Sequence, residues 1–205
     1  MARIKGSTTT GKIGQKILYT WNGRPCERAM PTHVANPRTA AQQSHRSAFA
    51  AVSKLSSYMK AAHQVGLQQM ARSEKNNSFG IFKRLNKNCF ADGDITYSRV
   101  VVSKGPVALV RLLEVRRDDV SLAIAFDPAS TSLHASPDDE LFLFVYCPSF
   151  CEGILYQPVA REDGEMAVRL PDEWQPHPLH LYAFLRDRRN RTSNTLYRPL
   201  PPSRN

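Results

Sequence analysis

The sequence predicts an α+β fold in chain order: an N-terminal β-hairpin, two helices, and then an antiparallel two-layer β-sandwich. Three observations carry this. A β-rich run from Ile13 to Trp21 ends at Asn22-Gly23, the strongest two-residue signal for a hairpin turn. Phe49, Val52, Leu55, Met59 and Ala62 recur at spacings of three and four, the period of one helix face. Beyond Ile95 the period shortens to two, in short segments parted by turn residues.

The hairpin is read over residues 12–30, KIGQKILYTWNGRPCERAM. Pro25 cannot donate to a ladder, so the returning arm is expected at a sheet edge. An isolated hairpin is marginal in water, so it must pack on this chain or on a partner.

Asn36-Pro37 turns the chain, and Thr39-Ala40-Ala41-Gln42 has capping-box spacing. Thr39 is expected to cap a long helix of roughly six turns, with Gln42 reaching back to it. Lys54 and Lys60 lie off its apolar stripe, Arg46 borders it, and Gly66 interrupts the pattern. A second, shorter helix is expected from about Asn77-Ser78, carrying Phe79, Phe82, Leu85 and Cys89.

Strands are expected at Thr96–Ser103, Val107–Arg116, Val120–Asp127, Glu140–Cys147, Gly153–Arg161, Glu165–Leu170, Leu179–Arg186 and Thr195–Pro199. Lys104-Gly105-Pro106, Arg117-Asp118-Asp119, Ser136-Pro137-Asp138, Asp163-Gly164 and Arg188–Arg191 separate them. Short strands at this spacing are the signature of an immunoglobulin- or fibronectin-like sandwich. Phe126-Asp127-Pro128 fits a strand end in the fibronectin variant, and Leu170-Pro171 with Leu179-His180-Leu181-Tyr182 resembles its leucine-turn-tyrosine corner. Leu122, Ile124, Phe126, Phe142, Phe144, Tyr146, Leu181 and Tyr182 are the expected core. Alternation sets Leu181 and Tyr182 on opposite faces, so one of them is expected to be partly exposed. The tail from Leu200 reads as a frayed end. Two domains are expected, residues 1–94 and 95–205.

Charge is uneven. Residues 1–90 hold 15 Lys and Arg against Glu27 and Glu74, whereas residues 91–205 hold 13 against 16 acids. The basic third is therefore the surface expected to meet something negative, the plain alternative being a solvated face. No window is apolar enough to span a bilayer, and no apolar stretch follows the basic start, so a cytoplasmic protein is expected, with incorporation into a particle compatible with that. Cys26, Cys89, Cys147 and Cys151 are expected as reduced thiols.

Catalytic motifs are weak. Gly6-Ser7-Thr8-Thr9-Thr10-Gly11-Lys12 approaches the phosphate-binding loop, but Ile13 stands where a Mg²⁺-ligating hydroxyl belongs, and the sequence behind it reads as strand. Cys147 and Cys151 with His177 and His180 could supply four metal ligands, yet apolar strand-end cysteines explain the pair more simply. Acids at Asp138-Asp139-Glu140 and Asp172-Glu173 read as solvated turn residues. No nucleophile motif is present, so no enzymatic activity, cofactor, metal or small-molecule substrate is expected.

Binding is the stronger signal. Arg3, Lys5, Lys12, Lys16, Arg24 and Arg28 interleave with Tyr19 and Trp21, and Arg38 and Arg46 follow. Cations for phosphates beside aromatics for bases make a single-strand platform plausible in chemistry. The alternative is that Tyr19 and Trp21 are hairpin core and the cations merely flank it. No recognition-helix or zinc-finger spacing occurs.

The chain also resembles an uncharacterised family, of unknown function, of similar-sized Bacteroidetes proteins. The likeness rests on Ala2-Arg3-Ile4-Lys5-Gly6, Gly11-Lys12-Ile13-Gly14, Trp21, Gly23-Arg24, Asn36-Pro37-Arg38-Thr39 with Gln42, Arg46 and Phe49. It continues through Ser103-Lys104-Gly105, Asp138-Asp139, Val145-Tyr146-Cys147-Pro148 and Arg161…Leu170-Pro171. Residues 11–49 are similar to short phage and prophage proteins usually taken as structural. The sequence departs from the common pattern at Thr8–Thr10, where bulkier apolar residues or glycine are usual. The resemblance implies a non-enzymatic protein without supplying a function; the expected role is a structural or assembly component that binds a protein partner or its own copies. Sequence-nonspecific nucleic-acid binding through the basic third is the alternative.

Overall fold

The computed structural model describes residues 3–5, 8–21, 23–33, 38–91 and 93–203. They form two compact units, Met1–Ala40 and Ala41–Asn205. The division expected between residues 94 and 95 falls inside the second unit, where helices and later strands share a core.

In the first unit β1 (Arg3–Lys5), β2 (Thr8–Ile13), β3 (Lys16–Trp21) and β4 (Arg24–Ala29) form an antiparallel sheet in chain order. The expected hairpin is β3–β4, where Trp21 pairs with Arg24 across a two-residue turn. Gly23 takes φ +78°, and Asn22 lies outside the described residues, as do Gly6-Ser7 and Asn36-Pro37. The run from Ile13 to Trp21 is not a single strand. It breaks at Gly14-Gln15, where Gly14 at φ +55° lets Ile13 pair with Lys16, glycine leading as in a type II′ turn. Pro25 sits on β4, the expected sheet edge.

The second unit opens with α1 (Ala40–Tyr58), α2 (Lys60–Gly66), α3 (Gln68–Ser73) and α4 (Ser78–Leu85). The expected long helix is thus two segments, α1 and α2, and α3 follows past Gly66; i→i−4 bonds continue across the joints: Met59 N–H donates to Leu55 O at 2.9 Å and Leu67 N–H to His63 O at 3.0 Å. α1 begins directly after Thr39. Gly66 ends α2 because the chain passes close by; a Cβ there would meet Ser103 Cβ at 2.7 Å. α4 is capped by Asn77, whose Oδ1 accepts the Gly80 N–H at 2.7 Å. Of the apolar stripe, Val52, Leu55, Met59 and Ala62 are buried, but Phe49 is 56% exposed, with Lys83 Nζ 5.2 Å from its ring centroid.

A small hairpin, β5 (Phe90–Ala91) with β6 (Asp94–Ile95), follows. The strand expected at Thr96–Ser103 is not formed. Tyr97–Arg99 is a 3₁₀ turn, and side chains hold the next residues: Thr195 Oγ1 accepts from Val102 N at 3.0 Å and Ser103 N at 2.9 Å. The remaining strands are β7 (Arg111–Asp118), β8 (Ser121–Asp127), β9 (Glu140–Cys147), β10 (Glu152–Leu155), β11 (Val159–Ala160), β12 (Glu165–Arg169), β13 (Leu179–Arg186) and β14 (Leu196–Leu200). They make two antiparallel sheets, β12-β8-β7 and β10-β9-β13-β14, with β11 added to β9. At Leu113 the β7–β8 register slips, and this bulged leucine stands 57% exposed.

The layers follow from alternation along β9 and β13. Leu141, Leu143, Val145 and Cys147, with Leu179, Leu181, Ala183 and Leu185, pack against Leu122, Ile124, Phe126 and Met166 of the other sheet. Phe142, Phe144, Tyr146, Tyr182 and Phe184 point the other way, onto Leu55, Met59, Leu67, Ile81 and Phe82 of the helices. The sheet is therefore covered on both faces, so Leu181 and Tyr182 are both fully buried, contrary to expectation. Tyr182 donates to Tyr97 O at 2.9 Å, a partner in the 3₁₀ turn rather than the local backbone of a tyrosine corner. The tail is tied down through residue 203: Ser203 Oγ donates to Asp119 Oδ1 at 3.1 Å, and the Arg117 guanidinium donates to Pro201 O at 2.6 Å.

Candidate functional site

Register decides what the basic N-terminal residues can do. Directly paired residues of an antiparallel ladder share a face, and alternate residues of a strand do too. Ile17 pairs with Lys12 on one side and Arg28 on the other, Tyr19 pairs with Cys26, and Trp21 pairs with Arg24. Lys12, Ile17, Tyr19, Trp21, Arg24, Cys26 and Arg28 thus line one face. No acidic residue occurs among them. Trp21 is 67% and Tyr19 40% exposed, so neither is hairpin core.

Lys16 falls on the opposite face, where its Nζ meets Glu27 Oε1 at 3.1 Å. Ile13, Leu18 and Ala29 share that face, and Ile13 is 51% exposed. From residue 10 to residue 33 none of the described residues is buried. The other candidates lie on β1 or outside the sheet. Arg3 and Lys5 occupy β1, paired with Thr10 and Thr8. Arg38 precedes α1 at φ +48°, and Arg46 stands on the exposed first half of α1. Sequence reasoning gathered Lys12, Lys16, Tyr19, Trp21, Arg24 and Arg28 on one hairpin. It missed the turn at Gly14-Gln15, which sorts Lys12 from Lys16.

Thr8–Ile13, the rest of the phosphate-loop-like motif, is a strand rather than a loop opening a helix. Cys147 is buried and Cys151 exposed, and both are free thiols. His177 packs edge-on against Phe150 at 5.3 Å. His180 instead stacks on Tyr97 at 4.0 Å and bonds Tyr197 Oη through Nδ1 at 2.8 Å; burial lowers its pKa to about 4. These four therefore hold separate structural places, and among the described residues no three His, Cys, Asp or Glu side chains converge.

The acidic turn is not uniformly solvated. Asp139 is buried, its carboxylate 3.2 Å from the equally buried Arg161 guanidinium, with Ser136 N–H donating to it at 2.9 Å. Arg161 also donates to Ala108 O. This network staples three loops. Between the β7 and β14 edges an open groove of about 830 Å³ is lined by Leu113, Val115, Arg117, Arg198 and Leu200. Arg117 spends its guanidinium on the carbonyls of Trp174, Gln175, His177 and Pro201. No helix is long and apolar enough to cross a membrane among the described residues.

A family model described as "Family of unknown function (DUF6266)" matches residues 8–198. No curated protein matches the chain. Among solved structures, the fibronectin type-III domain of human fibronectin type III domain containing protein 3 is similar at 10% identity. That similarity covers 49% of this chain and 91% of that domain, with a TM-score of 0.34.

Proposed function

Because the chain belongs to this family of unknown function, whose description assigns no activity, we propose a role from its own residues: a non-enzymatic assembly component whose N-terminal sheet docks onto a second copy of the chain. One observation carries this reading. Residues 10–21 and 23–29 of these paired strands contain no buried residue, and a sheet open on both faces lacks the burial that independent stability needs. The face bearing Ile13, Leu18 and Ala29 also carries the Lys16–Glu27 pair, which keeps it electrically balanced. Two copies related by a two-fold axis can meet there without opposing like charges.

The C-terminal unit serves in this reading as a rigid immunoglobulin- or fibronectin-like carrier. Its first, second and later strands (β7, β8, β12) share one sheet, and β14-β13-β9-β10 the other, as in G-F-C-C′ order. A particle assembled in the cytoplasm is the setting proposed for this association. Sedimentation velocity tests the reading. The full chain should associate with rising concentration, and Ile13→Glu with Leu18→Glu should leave it monomeric. A full chain that stays monomeric up to its solubility limit would refute self-docking.

A further inference from the structure

The opposite face of the same sheet has a different chemistry, and its residues take no part in the association proposed above. We propose that Lys12, Ile17, Tyr19, Trp21, Arg24 and Arg28 form a binding platform for single-stranded nucleic acid, read without sequence preference.

Three features converge. The first is charge without compensation. Register places Lys12, Arg24 and Arg28 on this face, and Glu27, the acid of these strands, on the other. Among the described residues none of the three cations is ion-paired. A second copy brought to this face would oppose cation to cation, whereas a phosphate backbone complements all three. The second is aromatic exposure. A tryptophan 67% exposed beside a tyrosine 40% exposed leaves two ring systems open on a sheet surface. Bases stack on such rings whatever their identity.

The third is spacing. Tyr19 and Trp21 are alternate residues of β3, so their Cα atoms are about 7 Å apart along the strand. Each ring can therefore take a different base of an unpaired strand. The cations flank them: Arg24 pairs directly with Trp21 at the hairpin tip, and Lys12 and Arg28 bracket Ile17 at the other end. A duplex keeps its bases stacked internally and offers these rings nothing, so single strands are the favoured occupant.

The test uses the full chain and a fluorescent oligothymidine of about 16 nucleotides, titrated by anisotropy at about 50 and 200 mM salt. A duplex of equal length and poly-L-glutamate serve as competitors. The single strand should bind tightest, and three neutralised phosphates should give a log Kd against log salt slope of about 2. Lys12→Ala, Arg24→Ala and Arg28→Ala together should flatten that slope, while Lys87→Ala, an exposed cation of the second unit, should leave Kd unchanged. Trp21→Ala should weaken binding roughly 5- to 150-fold, and Trp21→Phe, which keeps a ring and the strand's packing, should restore most of it. No anisotropy change at low salt would overturn the proposal. So would equal competition by duplex or polyglutamate with Trp21→Ala indifferent, since that is generic attraction to polyanions.

Discussion

Leu181 and Tyr182 are consecutive in β13 and both wholly buried, each belonging to a different core. Leu181 packs between the sheets, and Tyr182 packs under the helices with Phe144 at 6.3 Å between ring centroids. Truncating either should therefore be costly: Leu181→Ala by about 2–5 kcal/mol and Tyr182→Ala by about 3–5 kcal/mol. Urea unfolding of the two variants checks this. Half-exposed positions would lose far less.

That relationship also marks what was legible in the sequence. Glu140–Cys147 and Leu179–Arg186 were readable as strands to the residue, because ELFLFVYC and LHLYAFLR are dense in β-formers between clear turns. Their double burial was also written there, in apolar residues at nearly every position rather than every second one. Alternation alone hides it, since it assumes one wet face. Asp139 was misread because an acid in a Ser-Pro-Asp turn resembles any solvated turn; its partner Arg161 is 22 residues away and invisible to local pattern. The basic face was legible in composition but not in register, which turns on Gly14-Gln15 inside an otherwise strand-like run.

Asp139 and Arg161 are each about 2% exposed in their side chains, so removing one partner strands a buried charge. Asp139→Ala should cost about 3–5 kcal/mol. Arg188, which pairs with Asp138 at the surface and is 84% exposed, should cost under about 1 kcal/mol when changed to alanine. Chemical denaturation of the two variants compares them directly.

His180 gives the fold a pH dependence. Its folded pKa, lowered by burial to about 4, lies below the ordinary 6.5, so the unfolded chain binds the proton more readily. Stability is full above pH 6.5 and falls as pH drops toward 4. His63, buried against Phe79 and Phe82 and also shifted down by desolvation, acts in the same direction. Thermal melts from pH 7.5 to 4 should show a declining midpoint, and His180→Phe should reduce the decline.

Residues 41–205 hold both hydrophobic cores in full. A chain truncated to them should fold and melt cooperatively, within a few degrees of the full chain, because no core residue has been removed. Circular dichroism and near-ultraviolet spectra check it. Loss of the cooperative transition would show that the first unit is needed for the fold.

Amide hydrogen exchange across a protein concentration series tests most directly whether the N-terminal sheet needs a partner. In the dilute monomer the amides of β2, β3 and β4 should exchange fast, because no buried residue shields their ladder, while those of β9 and β13 stay protected. With rising concentration the amides of residues 11–29 should slow as copies dock. Protection of β2–β4 in the dilute monomer equal to that of β9 and β13 would contradict it.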